Sequence, residues 1–147
     1  MINVRTLHLA LLLGASTAFS GCAAFRGGTP DRTLTAELPV SRAEAVRRTT
    51  TAFREQGYPM RASLTSGLGP ESLPFRVGDD AEAVFRAAIT GSARGAQVVL
   101  SGTYRRLRLM GTVRGDEHEV QNSDDPLEHA LWTRLDQLRL AIQLAAR

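Results

Sequence analysis

The sequence predicts an α+β fold, a two-layer sandwich in which two helices pack on one face of a mostly antiparallel sheet. Three observations support this prediction. The segments 41–56 and 125–145 carry helix-capping signals and apolar residues at helical spacing. The stretch between them, 58–114, alternates apolar and polar residues between glycine-containing turns. A shorter alternating segment, 33–40, precedes the first helix, so the predicted order is strand, helix, several strands, helix.

The first strand and the first helix follow each other directly. Over residues 33–40 every second residue is apolar, which is the period of a half-buried strand. Ser41 and Glu44 have the spacing of a capping box, in which two side chains satisfy amides at the start of a helix. Gly57 follows the last helical residue, where a left-handed conformation commonly ends a helix. We therefore expect a helix over 41–56.

The middle of the chain is expected to supply the rest of the sheet. The predicted strands are 58–65, 72–77, 84–90 and 96–104, and Leu107 and Leu109 extend the last of these or add another. The glycines between them do not form a phosphate-binding loop, because a P-loop needs a lysine that the chain lacks. A dinucleotide-binding motif would need G-x-G-x-x-G at the start of a helix. We expect hairpin turns at these glycines.

The C-terminal helix has the clearest boundaries in the sequence. Asp125 is a suitable N-cap residue, and proline is favoured in the first turn of a helix, where Pro126 lies. The negative charge of Glu128 is favourable near the positive end of the helix dipole. Leucines and an isoleucine then recur at helical spacing, and the charged residues between them exclude a membrane span. We expect this apolar stripe to pack on the sheet. A partner-binding helix is the alternative, because Leu140 and Leu144 widen the apolar face.

Basic residues cluster at the end of the sheet-forming region. On an extended strand Arg106 and Arg108 project to the same side as Tyr104, and we expect that side to face solvent. With Arg105 and Arg114 they form a candidate surface for an anion or a partner, because guanidinium groups bind phosphate and carboxylate bidentately. The alternative is that these charges protect an exposed strand from pairing with another chain.

A second cluster combines carboxylates and imidazoles, the side chains that bind metals or transfer protons. Its members are Asp116, Glu117, His118, Glu119, Asp124, Asp125 and His129. Their spacing suits a metal poorly, and we expect residues 116–119 to form a solvated turn. The chain contains neither G-x-S-x-G nor H-E-x-x-H. The sequence thus predicts no catalytic residue, metal site or cofactor, with a hydrolase or metal-binding protein using His118 and His129 as the alternative.

The start of the chain has the features of an export signal. Arg5 precedes an apolar stretch over 7–19, and small residues follow it. These 13 residues are fewer than the roughly 20 needed to cross a membrane. Cys22, the only cysteine, comes directly afterwards. Because a single cysteine in an exported protein is a reactive thiol in an oxidising compartment, we expect Cys22 to be modified.

The residues Phe19-Ser20-Gly21-Cys22 resemble the lipobox of bacterial lipoproteins, in which an apolar residue and two small residues precede an invariant cysteine. The resemblance implies that acyl chains such as palmitate attach to Cys22 and that the signal, residues 1–21, is removed. Residues 22–32 would then form a lipidated, flexible tether, and residues 33–147 a single domain. Phe19 stands where the family usually has leucine. A secreted protein cut at an ordinary signal-peptidase site and an uncleaved anchor are the alternatives.

Composition and layout indicate the class of partner. The chain has 18 basic side chains, all arginine, and removal of Arg5 with the signal leaves 17 against 15 acidic ones. This near balance gives no electrostatic reason to expect nucleic acid. The layout resembles that of small envelope lipoproteins that act in membrane-protein or lipopolysaccharide assembly. Because a small tethered domain without a catalytic constellation can offer little but binding, we expect a non-catalytic module with an envelope protein or an anionic glycolipid as partner. Ala23 stands in place of an acidic residue, which by analogy with the sorting of enteric lipoproteins indicates the outer membrane, with the domain facing the periplasm.

Overall fold

The computed structural model describes residues 31–60, 69–108 and 113–145. These residues form two helices and a five-stranded antiparallel sheet, which confirms the predicted α+β sandwich. The elements are β1 (Leu34–Leu38), α1 (Arg42–Glu55), β2 (Phe75–Val77), β3 (Ala81–Gly91), β4 (Ala96–Arg108), β5 (Val113–Glu119) and α2 (Pro126–Leu144). Neither helix of this described part combines the length and the apolar character of a transmembrane span.

Strand β4 is the centre of the sheet. β3 pairs with one edge of it, and β2 pairs with the outer edge of β3. On the other edge β1 pairs with the first half of β4 and β5 with the second half, so β1 and β5 lie end to end. An ion pair joins the adjacent ends of β1 and β5, with a guanidinium nitrogen of Arg32 2.7 Å from a carboxylate oxygen of Glu119. The N–H of Asn122 also donates to the carbonyl of Asp31 at 2.9 Å.

The hydrophobic core lies on one face of this sheet. Alternate residues of β3 and β4 are buried, and successive side chains of a strand point to opposite faces. The fully buried leucines of α2, Leu131, Leu135 and Leu138, pack in the same core as the buried residues of α1. Both helices therefore cover one face, and the apolar stripe of α2 is core. Leu140 and Leu144 remain outside this core, with exposed fractions of 45% and 64%.

Both helices begin at the predicted caps. The Oγ of Ser41 accepts a hydrogen bond from the N–H of Glu44 at 3.3 Å. At α2 the Oδ1 of Asp125 accepts from the N–H of Leu127 at 2.9 Å and from that of Glu128 at 3.1 Å. These bonds satisfy amides that have no partner within the helix. The two helix starts are thus decided by local sequence.

The end of α1 is equally local. Gly57 has a φ of +79°, the left-handed conformation that the sequence predicts. Its N–H donates to the carbonyl of Arg54 at 2.9 Å, and the N–H of Tyr58 donates to that of Phe53 at 3.0 Å. The rings of Phe53 and Tyr58 pack with centroids 5.9 Å apart, which adds an apolar contact to the two hydrogen bonds. This geometry turns the chain back toward the sheet and fixes the position of Tyr58.

The predicted solvated turn over 116–119 is wrong, because these residues belong to strand β5. β5 has almost no apolar side chains, so no hydrophobic alternation reveals it, and pairing with β4 supplies its backbone hydrogen bonds. A bulge interrupts that pairing at Gly115, where an added Cβ would lie 3.0 Å from the carbonyl oxygen of Arg106. The predicted strand 58–65 lies partly outside the described residues, as does Leu109.

Thr49 leads to a prediction about stability. Its side chain is fully buried in α1, and its hydroxyl has no hydrogen-bond partner within the described residues. Because an unsatisfied buried hydroxyl is costly, Thr49→Val should raise the free energy of unfolding by about 1 kcal/mol. Thr50→Val is the matched control, since Thr50 Oγ1 donates to the carbonyl of Val46 at 2.8 Å. Urea unfolding measures both variants, and equal effects in the two would contradict the assignment.

Candidate functional site

Tyr104 does not face solvent, so the prediction that it lines an exposed row with Arg106 and Arg108 is wrong. It is only 6% exposed, and it lies on the helix-covered side of β4 with Val98 and Leu100. Its hydroxyl donates to Oε1 of Glu128 on α2 at 2.8 Å. The alternation of buried and more exposed residues along β4 continues as far as Tyr104. The strand extends beyond the helix layer only after this residue.

The predicted arginine surface is divided between the two faces of the sheet. Its ion pairs are Arg105–Glu117, Arg106–Asp125 at 3.0 Å and Arg114–Glu82 at 3.3 Å. The hydrogen bond from Arg105 lowers the pKa of Glu117, and the pKa of Asp125 is lowered chiefly by the backbone N–H of Glu128. Arg108 is exposed. Three of the four arginines are therefore compensated by carboxylates, and they do not form one cationic row.

The carboxylates and imidazoles of the second cluster lie on different elements. His118 is on β5 and stacks on Tyr104, with ring centroids 5.4 Å apart. His129 is exposed in the first turns of α2. Within residues 31–60, 69–108 and 113–145, no three His, Cys, Asp or Glu side chains are grouped to hold a metal ion.

Glu128 is a buried carboxylate that the sequence analysis treated only as an acid near a helix start. It is 7% exposed and accepts hydrogen bonds from the hydroxyls of Tyr104 and Ser123. Burial, and then the hydrogen bond to Glu128, raise the pKa of Tyr104 to about 12. This polar cluster joins β4 to the start of α2. No periodicity in the sequence indicates that residues 104 and 128 are in contact.

The face of the sheet that points away from both helices is called here the uncovered face. Its centre is aliphatic and partly exposed, with Val84 and Ala88 on β3 opposite Thr103 and Val99 on β4. Ion pairs surround this centre: Arg86–Glu71 at 3.0 Å, Arg105–Glu117 and Arg114–Glu82. A pocket of about 140 Å³ lies among Val84, Thr103 and all of these charged residues except Glu71. The uncovered face therefore combines an apolar centre with a charged rim.

Comparison with known proteins gives no family for this chain. No model of a protein family matches it, and no curated protein sequence matches it either.

The Tyr104–Glu128 contact predicts a specific pH dependence. The folded state raises the pKa of Tyr104 from 10.0 to about 12, so the unfolded chain loses this phenolic proton first. The stabilisation is complete below about pH 10 and is lost as the pH rises toward about 12. Tyr104→Phe should make this decline smaller and leave the part that comes from Tyr58, whose pKa burial also raises. At neutral pH it should cost about 1–2 kcal/mol because Glu128 loses a donor.

Denaturant unfolding between neutral and alkaline pH measures this effect. Tyr58→Phe is the control, since it leaves the Tyr104 phenol and its hydrogen bond in place. If Tyr104→Phe and the wild type decline in parallel above pH 10, the assigned shift is wrong.

Proposed function

We propose that this chain is a lipid-anchored lipoprotein of the bacterial cell envelope, and that its domain is a non-catalytic module that binds another envelope protein. The sequence Phe19-Ser20-Gly21-Cys22 supports the anchor, which lies outside the described residues. The outer membrane, with the domain in the periplasm, is the proposed location. The uncovered face of the sheet is the observation that carries the binding function.

The composition of the uncovered face suits a protein interface. Protein–protein interfaces combine an apolar centre with a polar rim, and here Val84, Ala88 and Val99 are flanked by ion-paired arginines and glutamates. The five strands have 5, 3, 11, 13 and 7 residues. With ~3.3 Å per residue and ~4.8 Å between neighbouring strands, they make a face on the order of 600 Å². That area approaches the ~800 Å² that each partner contributes to a standard interface.

Charge favours a protein over an anionic glycolipid as the partner on this face. Its three ion pairs contribute equal numbers of arginines and glutamates, so they produce no net positive field. Binding to an anionic membrane surface depends on clustered uncompensated positive charge. Interleaved charges instead match a protein surface that presents both signs in a complementary order.

The binding function is tested by exchanging one ion pair. Arg105→Glu with Glu117→Arg keeps a pair of opposite charges on β4 and β5 but reverses its order. Stability should change little, because exposed ion pairs contribute only about 0–1 kcal/mol. A photo-crosslinking residue at Thr103 should capture a discrete envelope protein in cells that express the full chain. The exchange should reduce that crosslink severalfold, because complementary charges would become like charges.

An equivalent exchange on the helix layer is the control. Asp136→Arg with Arg139→Asp reverses the ion pair on α2, whose atoms lie 2.7 Å apart, and should leave the Thr103 crosslink unchanged. A crosslinker at the exposed Ala130 should capture nothing specific. Crosslinks only to lipid or to a second copy of the chain, or a crosslink that survives the first exchange, would overturn the proposed partner.

The proposed anchor is tested at Cys22. Cys22→Ser should abolish incorporation of labelled fatty acid and release the chain from the membrane fraction, because the thiol is the acylation site. The thermal unfolding of the domain should not change. A wild-type chain that takes up no label, or a Cys22→Ser variant that still fractionates with membranes, would exclude the lipobox interpretation.

A further inference from the structure

A cleft lies where the end of α1, strand β2 and the middle of α2 meet. Its volume is about 400 Å³, and Arg76 on β2 and Arg134 on α2 both line it. It shares no residue with the pocket on the uncovered face. We propose that this Arg76–Arg134 cleft binds a phosphate group attached to a small hydroxylated molecule, either free or as the headgroup of a lipid.

Arg76 and Arg134 differ from most other arginines of the described residues, because neither has a carboxylate partner there. All 15 acidic side chains of the chain belong to described residues. The arginines paired with one of them are Arg32, Arg47, Arg48, Arg86, Arg105, Arg106, Arg114 and Arg139. No aspartate or glutamate of the described residues forms an ion pair with Arg76 or Arg134, and none lines the cleft.

The surroundings of each arginine explain this lack of compensation. Glu82 is opposite Arg76 in the pairing of β2 with β3, but its carboxylate lies 3.3 Å from Arg114 on β5. Arg76 instead donates to the carbonyl oxygen of Asp79 at 3.2 Å. On α2 the residues three and four positions from Arg134 are all uncharged, namely Ala130, Leu131, Gln137 and Leu138. Both arginines line the cleft and neither is neutralised by a carboxylate of the described residues, so their charge is available to an anion.

The remaining lining residues suit the organic part of such a ligand. Gln56 and Gln137 offer amide donors and acceptors, and Tyr58 offers a phenolic hydroxyl. The rings of Tyr58 and Phe75, with centroids 5.0 Å apart, form an apolar wall. Arg134 acts on the Tyr58 phenol, since its charge opposes the rise in pKa that burial causes there. A few placed polar groups beside an apolar wall are typical of small-molecule sites.

A purely structural role for these arginines makes a different prediction. The negative end of the α1 dipole attracts cations, and α1 ends at this cleft. However, the carbonyls of Phe53 and Arg54 already accept hydrogen bonds from Tyr58 and Gly57. Arg54 also supplies a cation within the last turn. If Arg76 and Arg134 served only the helix end, their removal would lower stability and no ligand would bind.

Calorimetric titration of the full chain in a non-ionic detergent tests the site with glucose 6-phosphate as the probe. The wild type should bind it and should not bind glucose. Arg76→Gln and Arg134→Gln should each weaken binding about tenfold or more, because each removes charge-assisted hydrogen bonds to phosphate. Arg134→Lys should lose less, since it keeps the charge but not the bidentate geometry. Arg94→Gln, at an exposed arginine in the β3–β4 turn, is the matched control.

Vesicles distinguish the two sources of phosphate. The Cys22→Ser full chain is floated with phosphatidylcholine vesicles that contain or lack phosphatidylglycerol, alongside the same cleft variants. Binding to glucose 6-phosphate alone assigns a free phosphorylated ligand, and arginine-dependent binding to the anionic vesicles alone assigns a headgroup. The proposal is wrong if neither probe binds the wild type, if Arg94→Gln weakens binding as much as the cleft variants, or if those variants change only the melting temperature.

Discussion

Pairing along both edges of β4 is the constraint on which the rest of the structure depends. β3 occupies one edge, while β1 and β5 share the other, so every residue of this strand has a defined neighbour and face. Its alternate residues, including Val98 and Leu100, turn toward the helices and organise the core. The intervening residues form the centre of the uncovered face. The core and the proposed binding surface thus lie on the two faces of the same strand.

The second constraint is the polar contact between the two layers. A buried carboxylate is costly unless hydrogen bonds compensate it, and Glu128 obtains two hydroxyl donors, from Tyr104 and Ser123. The backbone N–H of Glu128 also donates to the capping carboxylate of Asp125, which in turn pairs with Arg106 of β4. The start of α2 is therefore held against one end of β4 by a continuous set of directional bonds. These bonds fix the orientation of the helix more sharply than leucine packing alone would.

Arginine serves several physical purposes in this chain. On the uncovered face it pairs with glutamate, whereas at the Arg76–Arg134 cleft no carboxylate of the described residues compensates it. These two surfaces suit different partners, since a protein matches alternating charge and a phosphate group matches guanidinium groups that no carboxylate neutralises. The proposed protein-binding face and the proposed phosphate cleft are separate positions on one domain. The net charge of the chain does not show which arginines are paired with carboxylates and which are not.

The sequence by itself determined what depends on residues close along the chain: the fold class, the caps at Ser41 and Asp125, the left-handed Gly57 and the apolar stripe of α2. It did not predict β5, the burial of Tyr104 or the carboxylate partner of any arginine in the predicted row. A helix cap or an apolar periodicity involves residues only a few positions apart, so the sequence alone reveals it. The face on which a strand residue lies, and the charge that it meets, depend on partners brought together only when the sheet pairs and the helices pack. Tertiary structure alone therefore decided which arginines are paired with carboxylates and which have no carboxylate partner among the described residues.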